Sequence, residues 1–178
     1  MSQDAPELAF HHHRDRALSP EAFLRFIEQV EKEFEPPLSR QHHLPDYADK
    51  LLRLAEVDYV LEDDEVVAAI ACYANDREHH QAYATFFGVL PSHRGSGIAR
   101  PLLSKGIESC RQAGMHHLRA RTWHRGKILA FYEDMGFVID RVETNEWGVE
   151  SLQLIMALRD LPADATHRDG DGAHREES

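Results

Sequence analysis

One segment limits the fold more than any other. Ala82 to Leu90 is an apolar run with strand character, Pro91 breaks it, and Arg94-Gly95-Ser96-Gly97-Ile98-Ala99 turns into an amphipathic stretch reaching about Ala113. A strand that feeds a glycine turn and then a helix start leaves backbone N–H groups unpaired and pointing outward. The positive end of the helix dipole lies behind them. Gly95 and Gly97 carry no Cβ, so an anion can approach the backbone and a positive φ costs little. No Gly-Lys-Ser/Thr follows, which excludes a Walker loop, and the Rossmann glycine pattern with its later acid is also absent. Taken alone, the glycine pair fits an ordinary turn as well as an anion cradle.

The elements around it define a mixed α/β domain. Ser19-Pro20-Glu21 is a helix start, with an N-cap Ser, Pro at the first position and an acid in the first turn. Phe23, Phe26, Ile27, Val30 and Phe34 recur at helical spacing, and Pro36-Pro37 ends the run. A second helix starts at Leu44-Pro45-Asp46 and turns Tyr47, Ala48, Leu51 and Leu52 inward. Val57–Leu61 and Val66–Tyr73 flank Glu62-Asp63-Asp64-Glu65, which predicts a hairpin. After the glycine turn, a helix ends at Gly114, and then come strand His117–Trp123, helix Lys127–Met135, strand Phe137–Val142 and strand Leu152–Leu158. Residues 1–17 read as a flexible leader, 18–160 as one domain and 161–178 as a disordered polar tail.

Composition narrows the partners. The net charge of −11 argues against nucleic acid and is compatible with steering a cationic amine. No run approaches the length of a membrane span, and Met1-Ser2-Gln3-Asp4-Ala5-Pro6 lacks a signal-peptide core, so no membrane partner and a cytoplasmic location are expected. Cys72 and Cys110 fall in apolar patterns and read as buried, reduced thiols. The 13 histidines include His11-His12-His13, His42-His43, His79-His80 and His116-His117. Adjacent residues diverge, so these are read as solvated rather than as metal ligands, and no metal is expected.

Arg94-x-x-Gly97-x-Ala99 after Val89-Leu90-Pro91, followed by Leu129-Ala130-Phe131-Tyr132-Glu133-Asp134-Met135-Gly136-Phe137, resembles the two hallmark segments of the GNAT superfamily of N-acetyltransferases. The resemblance covers roughly Val57 to Leu158. It implies a central, mostly antiparallel sheet, flanked by helices on both faces and splayed between its fourth and fifth strands where acyl-CoA inserts. It also implies an enzyme that transfers the acetyl group of acetyl-CoA to a primary amine of a small molecule, directly and in a ternary complex. Acetylation of a protein N-terminus or lysine, and a noncatalytic acyl-CoA-binding module, are the alternatives. Segments Pro36-Pro37-Leu38-Ser39, Tyr47-Ala48-Asp49-Lys50 and Tyr73-Ala74-Asn75-Asp76 resemble members found among polysaccharide genes, which implies an amino-sugar acceptor.

Under the same resemblance, the backbone of Arg94, Gly95, Ser96, Gly97, Ile98 and Ala99 cradles the CoA pyrophosphate, and Val89 and Leu90 bind the pantetheine arm. Lys127 is a further phosphate contact, because Gly126 stands where relatives often carry Asn. Gly88 marks either a β-bulge that re-aims these amides or a packing position. Tyr132 is the candidate acid for the departing thiolate, since a phenol stays protonated at neutral pH. Strand residues Tyr83-Ala84-Thr85-Phe86-Phe87 offer no acid, so Glu78 and His80 at the strand entrance are the candidate general bases, with His79, Tyr73, Asp76 or water alone as alternatives. A homodimer through an exposed edge at Leu152–Leu158 is a further expectation, set against burial of that strand within one subunit.

Overall fold

Among the described residues, seven strands and five α-helices follow one another: β1 (Ala9–His12), α1 (Pro20–Val30), α2 (Leu38–Gln41), α3 (Leu44–Leu54), β2 (Glu56–Glu62), β3 (Glu65–Asp76), β4 (Gln81–Val89), α4 (Ala99–Gln112), β5 (His117–Thr122), α5 (Lys127–Asp134), β6 (Val138–Thr144) and β7 (Glu150–Ala157). The computed structural model describes residues 7–158, so the expected tail 161–178 lies outside the described residues. The strands form one sheet in the order β1-β2-β3-β4-β5-β7-β6. All neighbours are antiparallel except β4 and β5.

Local chemistry sets the boundaries. Ser19 Oγ accepts the Ala22 N–H at 3.1 Å and caps α1, with Pro20 at the first helical position. Asp63 and Asp64 take φ of 50° and 62°, which joins β2 to β3 by a two-residue turn whose twist matches the strands. The sheet separates two cores. On one face α1 and α3 bury Phe23, Phe26, Ile27 and Leu51 against Tyr59 and Phe86. On the other, Leu102, Leu103 and Cys110 of α4 pack on Ile70, Leu118 and Leu154.

The N-terminal segment departs from the expectation of a leader. Residues 9–12 pair with β2 from Ala9↔Leu61 to His12↔Asp58. His12 lies 3.2 Å from Glu56, which Arg14 also grips, and the Tyr59 hydroxyl donates to the Arg16 carbonyl at 2.7 Å. His13 Nδ1 accepts the Leu18 N–H at 2.9 Å, so these histidines are structural rather than solvated. β7 is likewise not an edge: it lies between β5 and β6, and its Leu152 and Leu154 are buried. The edge at this end of the sheet is β6, where Val138, Ile139 and Val142 are exposed.

The splay is where the resemblance places it. β4 and β5 pair only at Gln81↔His117, Ala82↔Leu118 and Tyr83↔Arg119. Beyond Tyr83 the strands diverge, and the edge of β4 faces open space.

Candidate active site

A cavity of about 570 Å³ fills the wedge between the diverging strands, lined by β4 from Tyr83 to Val89 and by Arg121 to His124 at the end of β5. The β3–β4 register runs Ala71↔Phe86 and then Cys72↔Ala84, so Thr85 is the extra residue of a bulge. Gly88 is not that bulge. A Cβ there would lie 3.2 Å from Val30 Cγ2 and 3.3 Å from Phe86 Cζ, which makes it a packing glycine. The Leu90 N–H, expected to meet pantetheine, is taken by the Val67 carbonyl at 2.9 Å. The Val89 carbonyl accepts Arg94 Nε at 3.2 Å. The unpaired edge therefore lies upstream of Leu90, from Ala84 toward Val89.

The glycine turn holds its shape without filling its own concavity. Gly95 and Gly97 take φ of 75° and 82°, and nothing lies within 4 Å of a Cβ built on either. The Ser96 hydroxyl donates to the His93 carbonyl, while His93 Nε2 and Glu62 Oε2 are 2.7 Å apart, so the turn is pinned from behind. Ile98 is buried in the α4 core and precedes a helix whose start has no side-chain cap. Arg94 and Ala99 line the cavity, as does Lys127, the first residue of α5. Gly126 before it has φ 70° and ψ −128°, a conformation closed to Asn and other L side chains, which accounts for glycine at this position. An uncapped helix start, two exposed glycines with open space around them and a cation on the same cavity suit a pyrophosphate.

Tyr132 lies on the cavity wall, edge-on to Phe131 (centroids 5.6 Å, 66°) and Phe137 (5.4 Å, 82°). Burial pushes its phenol up to about 12, with further contributions from Cys72 and Tyr83. It therefore keeps its proton throughout the neutral and moderately alkaline range.

The opposite wall comes from residues far apart in the chain. Phe34 stacks on Phe86 at 5.2 Å, and His42 lies flat on Tyr47 at 4.4 Å and 5°. Tyr47 is buried; desolvation raises its phenol to about 12 against the opposing effect of a hydrogen bond with Thr85. The connection carrying Phe34 and His42 is held by Glu31, whose Oε2 accepts the Ser39 N–H (3.1 Å) and hydroxyl (2.9 Å). Glu33 is the carboxylate among the cavity-lining residues, and Arg94 pairs with it at 3.5 Å. Phe34, His42, Thr85, Arg121 and Trp123 were not singled out as site residues from sequence, because their convergence depends on the packing of α1, α3 and β5.

The proposed bases lie elsewhere. Glu78 is exposed at the β3–β4 turn, and His80 stacks on His116 at 4.4 Å while its carbonyl accepts the His116 and His117 N–H groups. Neither lines the cavity. Asp76 and His79 bind one another at 3.1 Å on the same turn, and the His79 N–H holds the Asp76 carboxyl below the usual carboxylate range. Among the described residues, no group of three or more His, Cys, Asp or Glu is placed to hold a metal ion, and no helix is long and apolar enough to cross a membrane.

A splayed sheet with a backbone anion cradle on one side of the opening and a walled chamber on the other defines an acyl-CoA-dependent transferase. The sequence model of the acetyltransferase (GNAT) family matches residues 24–137, and the chain belongs to that family. Aminoglycoside 6'-acetyltransferase type Ii superposes with a TM-score of 0.70 at 14% identity, over 88% of this chain and 99% of that one. The ribosomal-protein-S18-alanine N-acetyltransferase of Escherichia coli gives 0.68 at 14% identity, over 89% and 98%. A GNAT acetyltransferase from Elizabethkingia anophelis with acetyl-CoA bound gives 0.61 at 16% identity, over 84% and 97%. No curated protein matches the chain in sequence. The protein is thus an acetyltransferase of a family that uses acetyl-CoA as co-substrate, and its neighbours include enzymes named for a small molecule and for a protein.

Proposed function

We propose that this enzyme acetylates the primary amine of a small molecule by direct transfer within a ternary complex. The observation that carries the reading is the position of β4. Its unpaired edge separates the Arg94–Ala99 cradle from a chamber walled by Phe34, His42, Tyr47 and Thr85. The aromatic rings of Phe34 and Tyr47 line that chamber and suit the body of a compact acceptor. Which small amine is accepted, an amino sugar included, is left to the screen below.

When bound, the thioester supplies an activated acetyl group whose C–S bond breaks as the C–N bond to the amine forms. The N–H groups of Gly95 to Ala99, with Lys127 opposite, fix the pyrophosphate and so the reach of the pantetheine arm, while the Arg94 N–H is taken by the Pro91 carbonyl at 3.4 Å. The amides of β4 past Tyr83 that point away from β3 are donors in the wedge, placed to meet charge developing on the carbonyl oxygen. Tyr132, at about 12, is a weaker acid than a thiol near roughly 8.5. It therefore donates a hydrogen bond to the departing sulfur and keeps its own proton. The proton shed by the amine is the one that finally neutralises the thiolate, and we assign its relay to water; Glu78 and His80 lie outside the cavity. The free, buried Cys72 and Cys110 form no part of this route and suit the reducing cytoplasm in which we place the enzyme.

The test is thiol release from acetyl-CoA in the presence of amino sugars, amino acids, polyamines, aminoglycosides and peptides. Turnover with a free small amine and none with peptides is expected. Preferential acetylation of peptide N-termini would overturn the small-molecule reading.

A further inference from the structure

Accepting the small-amine reading, we infer that the acceptor carries an anionic group, and that Arg121 together with Trp123 forms the subsite that holds it. Leu118 and Ala120 of β5 point into the α4 core. By strand alternation, Arg119 and Arg121 project from the other face, toward the chamber. Arg121 lines the cavity, and its guanidinium lies 4.8 Å from the centre of the Trp123 ring.

Its neighbours show why this arginine is available. Arg119 binds Asp140 at 2.9 Å, Arg125 meets Glu150 at 3.4 Å, and Arg141 binds Glu143 at 2.6 Å. Across the sheet, Arg121 is in register with Gln153, and Gln153 gives its amide to Glu143 at 2.9 Å. The next residue in that row is Arg141, and the carboxylate beside it, Glu143, is held by Arg141 and Gln153. Among the described residues Arg121 forms no ion pair, and its guanidinium lies over the indole of Trp123. Glu33, the carboxylate of the cavity wall, belongs to Arg94.

A guanidinium stacked on an aromatic ring keeps its edge N–H groups directed outward in a planar fork. That geometry suits a carboxylate or a phosphate. The chamber offers no free carboxylate to a second positive charge, so a polyamine or aminoglycoside gains nothing there. An amine whose body is apolar or aromatic, with one anionic group, meets Tyr47, Phe34 and Arg121 together.

The experiment uses the full chain with matched probes: phenylalanine against phenylalaninamide, β-alanine against propylamine, and phosphoethanolamine against ethanolamine. In at least one pair the anionic member should show kcat/KM roughly 10-fold or more above its neutral counterpart. Arg121→Gln should erase that preference by raising the acceptor KM by about 10- to 100-fold, leaving the KM for acetyl-CoA in place, and Arg121→Lys should restore part of it. Equal or better use of the neutral member in every pair overturns the inference, as does an Arg121→Gln defect confined to acetyl-CoA. Binding of the same probes to the CoA-loaded protein gives a readout that needs no turnover, using Trp123 fluorescence in a Trp147→Phe background. Anion-selective quenching that Arg121→Gln abolishes supports the subsite even if acetyl transfer fails, whereas no selective binding overturns it.

Discussion

The two sides of β4 are built on different principles. The side facing α4 is made of consecutive backbone: Gly95 to Ala99 supply N–H groups, and side chains such as Ile98 and Ser96 only hold the turn. The side facing α1 and α3 is made of side chains from distant segments, with Phe34, His42, Tyr47, Thr85 and Arg121 brought together by packing. A backbone cradle recognises what all members of a family share. A side-chain chamber can change its ligand without disturbing the fold. Co-substrate binding and acceptor choice should therefore respond separately to substitution.

Phe86→Ala should be the largest perturbation. Phe86 is buried under Phe23, Phe26 and Phe34, so its loss should cost about 3–5 kcal/mol by denaturant titration, and the damage should fall on acceptor KM. An equal rise in acetyl-CoA KM would erase the distinction between the two sides. Gly97→Val places a branched side chain at φ 82° beside the empty concavity, and acetyl-CoA affinity by calorimetry should fall roughly 10- to 100-fold in a folded protein. Unchanged affinity would remove the cradle. For Tyr132→Phe we expect kcat to drop about 10- to 100-fold, the modest end for such a group, while acetyl-CoA binding persists. A tenfold loss of acetyl-CoA affinity would instead make Tyr132 part of the binding wall.

The phenols of Tyr47 and Tyr132 are both raised to about 12 by burial. A raised folded pKa means that unfolding, which lets the phenol ionise near its free value of about 10, becomes easier in strong base. Their contribution is complete below pH ~10 and is lost as pH climbs through ~12. Tyr47→Phe should flatten that alkaline decline in unfolding free energy, and an unchanged slope would mean that Tyr47 titrates normally. Smallest of all, Glu78→Gln and His80→Ala should leave the pH–rate profile where it is, since both sit outside the cavity. A moved limb in either would return the proton to that turn.

What the sequence disclosed follows the same division. The strand, glycine turn and helix of 82–113 are set by neighbouring residues, as is the Asp63-Asp64 turn, so local chemistry predicted them. Gly88 reads from sequence as either a bulge or a packing position, because glycine is the usual mark of irregular strands. The bulge's true position at Thr85 depends on register with β3, which no local signal carries. β1 was missed for a similar reason, since Ala-Phe-His-His has no strand alternation and exists through pairing with β2. Glu78 and His80 were chosen for titratable chemistry near a strand end, but the chain leaves β3 on the far side of the zipped β4–β5 pairs.

That short first strand has a practical corollary. If the chain were cut at residue 18, as its composition invites, β2 would lose its outer neighbour, and the backbone groups from Asp58 to Leu61 would stand bare. Glu56 would lose its partners His12 and Arg14. A trimmed protein would then present a fresh template for strand addition, and gain of self-association rather than loss of catalysis would be its first symptom.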